Sequence, residues 1–330
     1  MSKQLVIFQL SGEFSIERSL PLLINQPTGL SLGATLDWLE GHRSVLDNLT
    51  HRAGVILLRD LPIKTPNDFQ SICRAIRPQL RKYSGGDSPR TSLTEFVYTS
   101  TEYQSGLEVL LHNELSYAGW SPDRVFFGCL QPAATGGETH VADGREIYRR
   151  LDPKIRKDFE NKGVTYIQHL RDRSVSGPGK SWQETFESTR REQAENYLKT
   201  SKMGFEWTAD GIKTHAFHQA ILKHSVTKEK CWHNQADQWH RLLPSVKDSV
   251  GEEITKPQST PNATTFSNHV AFGDGSEINP NDLLRIRAVS RSCEVLFPWK
   301  EGDVMIIDNV MAMHGRKPFT GLRQTVVAMA

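Results

Sequence analysis

The sequence predicts a mainly β chain with helical insertions, built on a double-stranded β-helix, or jelly roll. Three observations carry this expectation. Short apolar runs bounded by Gly, Pro, Asn or Asp recur along most of the chain after the first hundred residues. The first and last of them lie far apart in sequence, as two face-to-face sheets require. No G-x-G-x-x-G follows an early strand, so a doubly wound dinucleotide-binding sheet lacks its fingerprint.

The first hundred residues or so read as α/β. An amphipathic stretch runs from Leu36 to Leu49, a buried-strand run spans Gly54 to Leu58, and Thr65-Pro66 opens a helix carrying Phe69, Ile72 and Ile76. Strands are then expected at Leu107–Leu111, Arg124–Leu130, Glu138–Ala142, Gly163–His169, Ile212–Phe217, Lys230–Asn234, Asp303–Ile307 and Gln324–Met329. Helices interrupt them: Asp152-Pro153 starts one ending at Asn161, Thr189 to Thr200 forms another, and Asn281 caps a third through Leu284 and Ile286 to Arg291. The linker-like pieces, Ser84 to Pro89 and Gly251 to Ala263, are short enough to be loops. The expectation is therefore one domain over 1–330, its N-terminal α/β portion (about 1–100) packed on the jelly roll.

Composition excludes several function classes. Forty Lys and Arg oppose 38 Asp and Glu in 330 residues, and the net charge of +2 gives no field for nucleic acid or an anionic membrane. The four cysteines are scattered without CxxC spacing and read as reduced thiols. The apolar run Leu5 to Leu10 is too short for a secretion signal, and no stretch approaches the roughly 20 apolar residues of a membrane span. The expected compartment is the cytoplasm.

His112-Asn113-Glu114 follows the apolar run Leu107–Leu111, and residues i and i+2 of an extended chain point the same way, so an imidazole and a carboxylate converge. A redox metal needs a third ligand. His314 is the best candidate, at the end of the apolar run Asp303 through Met313 where it meets Gly315-Arg316-Lys317-Pro318. Two histidines and one carboxylate form a facial triad that leaves about three positions open on Fe(II). Arg323 follows a reversal containing Pro318 and Gly321, and its guanidinium can reach the far end of a dicarboxylate that chelates the metal.

These residues resemble the TauD/TfdA superfamily of Fe(II)/2-oxoglutarate-dependent dioxygenases, most closely its syringomycin-pathway (SyrP-like) hydroxylase subgroup. The likeness rests on His112-Asn113-Glu114-Leu115-Ser116-Tyr117, Gly136-Gly137-Glu138-Thr139 with Asp143, Ser181-Trp182-Gln183, Trp232-His233-Asn234-Gln235, Gly273-Asp274-Gly275, and Trp299-Lys300-Glu301-Gly302-Asp303 through Asp308-Asn309. His314-Gly315-Arg316-Lys317-Pro318-Phe319 with Gly321 and Arg323 completes it, so the likeness runs from about Trp38 to Ala330.

The resemblance implies His112, Glu114 and His314 as iron ligands. It also implies Arg323 as partner of the distal 2-oxoglutarate carboxylate, with Thr139 as a second hydroxyl donor to it. Glu114 stands where many members have Asp, and a carboxylate there argues against halogenation, which needs that coordination position vacant. The implied cofactors are Fe(II), 2-oxoglutarate as cosubstrate and O2, and the implied reaction oxidises an unactivated C–H bond with release of succinate and CO2. Hydroxylation is the leading outcome, with desaturation, epoxidation or cyclisation on the same chemistry as alternatives and a metal-dependent hydrolase behind them. The implied partner is a small amino-acid-like or peptide-like substrate, free or on a carrier protein. Ser116, Asn234 and Gln235 lie near family blocks as candidate substrate-binding groups, and His233 faces either substrate or packing. His215, His218, His224, His233 and His240 fit neither HExxH nor a zinc-finger spacing and are read as packed or solvated.

Overall fold

The computed structural model describes residues 7–8, 20–26, 29–83, 86, 88, 90–177, 180–243, 246–247, 253–254 and 268–330. Most of the Leu5–Leu10 run and of the loops at 84–89 and 251–263 lies outside them. A seven-stranded sheet runs, in spatial order, Ile7–Phe8, Leu22–Asn25, Val55–Arg59, Val304–Asp308, Arg124–Gln131, Gln324–Met329 and Tyr98–Thr99. The first two pairings are parallel and the rest antiparallel. An antiparallel five-stranded sheet runs Glu253–Ile254, Val246–Lys247, Glu108–His112, Ala312–Arg316 and Thr139–Asp143. These two sheets form the jelly-roll core. A third antiparallel sheet joins Gly204–Trp207, Gly211–His218, Val164–Arg171 and Asn268–Phe272.

The central strands of the seven-stranded sheet are uninterrupted apolar runs because both of their faces are covered. Ile56, Leu58, Phe126, Val304 and Ile306 pack in one core with Leu39, Leu46, Phe69 and Ile72 of the N-terminal helices. Their neighbours Val55, Leu57, Val125, Phe127, Met305 and Ile307 pack in another with Leu111, Val141 and Met313 of the five-stranded sheet. The period-2 alternation of a strand thus sorts consecutive residues into two cores.

Helix starts follow local chemistry. Thr65 and Asp68 make a reciprocal capping box ahead of Pro66–Ile76, and Asp152 caps Pro153–Lys162. Three expected boundaries move. The Leu36 to Leu49 stretch is two helices, Leu32–Gly41 and Arg43–Ala53, broken at His42 beside the helix-ending Gly41. The cap of Pro280–Ser292 is Asn279, whose side chain accepts from the Asn281 amide, so Asn281 is inside the helix and proline takes its first position. The Lys230 strand ends at Trp232, leaving His233 and Asn234 in the connection to the short helix Ala236–Trp239. Among the described residues no helix is long and apolar enough to cross a membrane.

Candidate active site

His112 and His314 are register partners on the adjacent antiparallel strands Glu108–His112 and Ala312–Arg316, their ring centroids 4.4 Å apart. Glu114 arrives differently from the sequence expectation. It stands past the strand, in a turn where Leu115 takes a left-handed φ of 55°, so the i, i+2 alternation of a strand does not aim it. Asn309, fully buried at the end of Val304–Asp308, aims it instead. Asn309 Oδ1 accepts from the Glu114 amide at 2.7 Å, and its Nδ2 donates to the Glu114 carbonyl at 2.9 Å and the Pro122 carbonyl at 3.0 Å. Asn113 returns the tie through Nδ2 to the Asn309 carbonyl at 2.8 Å.

One nitrogen or oxygen from each of His112, Glu114 and His314 lies within 4.8 Å of the others, with Glu114 Oε2 3.5 Å from His314 Nε2. His112 Nδ1 donates to the Leu110 carbonyl at 2.8 Å, which leaves Nε2 as the lone-pair nitrogen. Neither ring nitrogen of buried His314 has a hydrogen-bond partner among the described residues. Burial and the neighbouring His314 push His112 down to about 3, and burial lowers His314 as well. Burial alone would raise Glu114, but the Arg90 guanidinium 2.8 Å away overrides it and holds the carboxylate below its usual range. Two neutral imidazoles and one carboxylate with uncommitted lone pairs fit a divalent metal.

Among the described residues three other groups of potential ligands behave otherwise. His224 Nδ1 accepts from the Thr227 amide at 3.1 Å, so its Nε2 carries the proton it donates to Asp308 at 3.1 Å, and Arg124 neutralises Asp308 at 2.7 Å. Glu108 is paired with Arg291 at 2.7 Å, Lys317 sits between Glu108 and Glu294, and His140 Nε2 donates to the Val109 carbonyl at 2.9 Å. The third group, His240, His269 and Glu277, ends on an exposed carboxylate. Of the remaining clustered histidines, His215 and His218 join none of these groups; nor does His233, which is buried with Nε2 unpartnered and outside the lining of the triad's cavity.

Arg323 and Thr139 line the same cavity as His112 and His314. Arg323 precedes the last strand of the seven-stranded sheet, and its Nε donates to the Gly137 carbonyl at 3.0 Å and its Nη1 to Ser100 Oγ at 3.1 Å. Burial and the charge of Arg316 push it down to about 10. Gly137 has φ 72°, and a Cβ there would sit 3.0 Å from Arg323 Cδ, so glycine is required on both counts. Thr139 Oγ1 accepts from Trp299 Nε1 at 3.0 Å, which leaves its own O–H free to donate.

Ser116, Asn234 and Gln235 are not brought to that cavity lining. Asn234 is committed to its own loop, Nδ2 to the Ala220 carbonyl at 3.1 Å and Oδ1 from the Ala236 amide at 3.1 Å. Gln235 Nε2 donates to the Asn113 carbonyl at 2.7 Å and to Ser116 Oγ at 2.9 Å, a second tie on the turn that carries Glu114. Sequence reasoning missed Asn309 and Arg90 as site residues. Asn309 stood at the end of a family block, directly after an apolar strand, with no role attached to it, and Arg90 gave no signal.

Residues 16–329 match the family model described as taurine catabolism dioxygenase TauD, TfdA family. The chain is 28% identical over 309 residues to dapdiamide synthesis protein DdaC of Enterobacter agglomerans, covering 92% of this chain and 89% of that protein. It is also 28% identical over 326 residues to a clavaminate synthase-like protein of Arabidopsis thaliana, covering 94% of each. Among solved structures, AAD-2 in complex with Mn(II) and N-oxalylglycine superposes with a TM-score of 0.50 at 14% identity, covering 88% of this chain and 87% of that one. A taurine dioxygenase from Burkholderia xenovorans superposes with a TM-score of 0.50 at 13% identity, covering 88% and 79%; at such identities the two share the fold. The chain belongs to the TauD, TfdA family and is an oxidoreductase of the Fe(II)/2-oxoglutarate-dependent dioxygenase class, with Fe(II), 2-oxoglutarate and O2 as its cofactors.

Proposed function

We propose that His112, Glu114 and His314 hold the iron, that Arg323 and Thr139 hold the distal carboxylate of 2-oxoglutarate, and that the enzyme hydroxylates an unactivated C–H bond of an amino acid or small peptide-like molecule. The observation that supports this best is the convergence of one ligand atom each from His112, Glu114 and His314 within 4.8 Å of one another, with both histidines lining one cavity with Arg323. Bound there, iron and cosubstrate supply the oxidising power, with succinate and CO2 released. The chain's own residues position and shield. His112 is fixed by its Leu110 bond, Glu114 by Asn309, and Arg323 by Gly137 and Ser100, while Phe127 and Val109 give the cavity apolar walls that exclude water.

The relative named for dapdiamide synthesis supports a substrate in specialised metabolism, and our reading places the chain in the syringomycin-pathway-like subgroup as a single-domain enzyme of the cytoplasm. Incubation with Fe(II), 2-oxoglutarate, O2 and a panel of free and carrier-bound amino acids tests the reaction. Succinate with a mass gain of about 16 Da means hydroxylation or epoxidation, a loss of about 2 Da desaturation or ring closure, and product without succinate a hydrolase. An anaerobic Fe(II)–2-oxoglutarate visible band that survived His314→Ala would refute the ligand assignment.

A further inference from the structure

Arg90 is a buried cation whose hydrogen-bonding capacity is only partly used. Its side chain is 2% exposed, its guanidinium lies over the Tyr83 ring at 4.7 Å, and Nη2 donates to Glu114 Oε2 at 2.8 Å. Among the described residues Nε and Nη1 have no hydrogen-bond partner, although Arg90 lines the same cavity as His112, His314 and Arg323. Leaving two charged N–H donors dry is costly unless a ligand takes them.

The other cations of that wall are more fully used, Arg316 keeping only its Nε without a partner among the described residues. Arg316 donates to the carbonyls of Thr101, Tyr103, Gln104 and Leu107, which fastens the 101–107 loop. Arg323 is the group proposed to take 2-oxoglutarate. Charge points the same way: Fe(II) and the 2-oxoglutarate dianion would cancel, and the one carboxylate of Glu114 offsets only one of the three guanidiniums Arg90, Arg316 and Arg323, which leaves a positive surplus for a further anion. A planar fork with donors to spare matches a carboxylate.

We infer that Arg90 receives the carboxylate of the substrate, so that the enzyme acts on a free carboxylic acid and not on a carrier-bound thioester. The inference rests on the metal and cosubstrate assignment proposed above and narrows its substrate class. A thioester carbonyl carries no charge to offset the guanidinium, and a carrier arm would occupy the space the carboxylate needs.

The test uses the full chain, loaded anaerobically with Fe(II) and 2-oxoglutarate. L-amino acids and their N-acetyl derivatives are titrated beside the matching carboxamides, with perturbation of the visible band and thermal melting of the metal-free protein as readouts. At least one acid should bind about 30- to 100-fold more tightly than its amide, the range expected of a charge-assisted bidentate contact. Arg90→Gln, compared at Fe(II) and 2-oxoglutarate concentrations that saturate the variant, should erase that preference, and Arg90→Lys, which keeps a charge beside Glu114, should restore part of it. The inference is overturned if acid and amide bind alike, if no carboxylate in the panel perturbs band or melting, or if Arg90→Gln keeps the preference. It is equally overturned if Arg90→Gln weakens iron and 2-oxoglutarate instead, which would make Arg90 a positioning residue for Glu114. A wild-type protein that forms no band would refute the underlying site assignment, a failure distinct from the others.

Discussion

Asn309 is where fold and chemistry are most directly joined, and replacing it tests the account of how Glu114 is aimed. Asn309→Ala removes the acceptor of the Glu114 amide and the donor shared by the Glu114 and Pro122 carbonyls, all in a buried setting. Two to three lost bonds at about 1 kcal/mol each, plus the penalty of stranding one buried amide, give about 3–4 kcal/mol of destabilisation. Asn309→Asp keeps the shape and the bond to the Glu114 amide, but sets a carboxylate oxygen against two carbonyls; it should be at least as damaging. Urea unfolding with an unchanged denaturant slope measures the first effect. Fe(II) affinity, measured where each variant is still folded, measures the second and should fall at least about 10-fold, because a ligand misplaced by about 1 Å no longer completes the triad. Variants that unfold within about 0.5 kcal/mol of the wild type, or bind Fe(II) unchanged, would show that Glu114 is aimed by something else.

Arg323→Gln should raise the 2-oxoglutarate concentration needed for half-maximal band formation by about 30-fold or more, since a buried charge-assisted pair is lost; a change under about 3-fold would exclude Arg323 as the anchor. Gly137→Ala should weaken 2-oxoglutarate about 10-fold and cost about 1–2 kcal/mol, because its Cβ would press on Arg323 Cδ at a φ of 72°; paired titration and melting curves check both effects. Burial, with the charge of His218, pushes His233 down to about 4 from 6.5, so the unfolded chain binds the extra proton between those values and stability falls as pH drops through that window. The loss amounts to as much as about 3 kcal/mol, and in His233→Gln the pH dependence of the unfolding midpoint between pH 6.5 and 4 should flatten.

What could be read in the sequence was what residue type and local order determine. The strand before His112, the triad's residue types, the reversal that brings Arg323 back and the starts at Thr65 and Asp152 all follow from propensity, capping and ligand chemistry. The expected geometry of Glu114 failed for an instructive reason: a two-residue period places side chains only while the chain stays extended, and here the strand ends at His112. The tie that replaces the strand comes from Asn309, nearly two hundred positions away, and no local pattern encodes such a contact. Asn234 and Gln235 show what a motif neighbour leaves unread: a polar side chain there invites a substrate role, and the fold adds structural ties from Asn234 Nδ2 to the Ala220 carbonyl and from Gln235 Nε2 to the Asn113 carbonyl and Ser116 Oγ.

The division of labour between the two core sheets explains why residues at both ends of the chain are needed. His112, His314 and Thr139 stand on neighbouring strands of the five-stranded sheet, with Glu114 on the turn that follows. Arg323 and its partner Ser100 belong to the edge of the seven-stranded sheet, where the Ser100 amide donates to the Thr325 carbonyl. On the proposed assignment, a dicarboxylate chelating the metal at one end and meeting Arg323 at the other would bridge the two sheets, and its binding energy would act across the same interior that Leu111, Met313, Phe127 and Met305 fill. Binding should thus raise the melting temperature of both sheets together in the wild type, whereas in Arg323→Gln, which cuts the bridge at one end only, metal alone should stabilise and added 2-oxoglutarate should contribute little more. Equal stabilisation by 2-oxoglutarate in both proteins would mean that the cosubstrate rests on the metal's sheet alone.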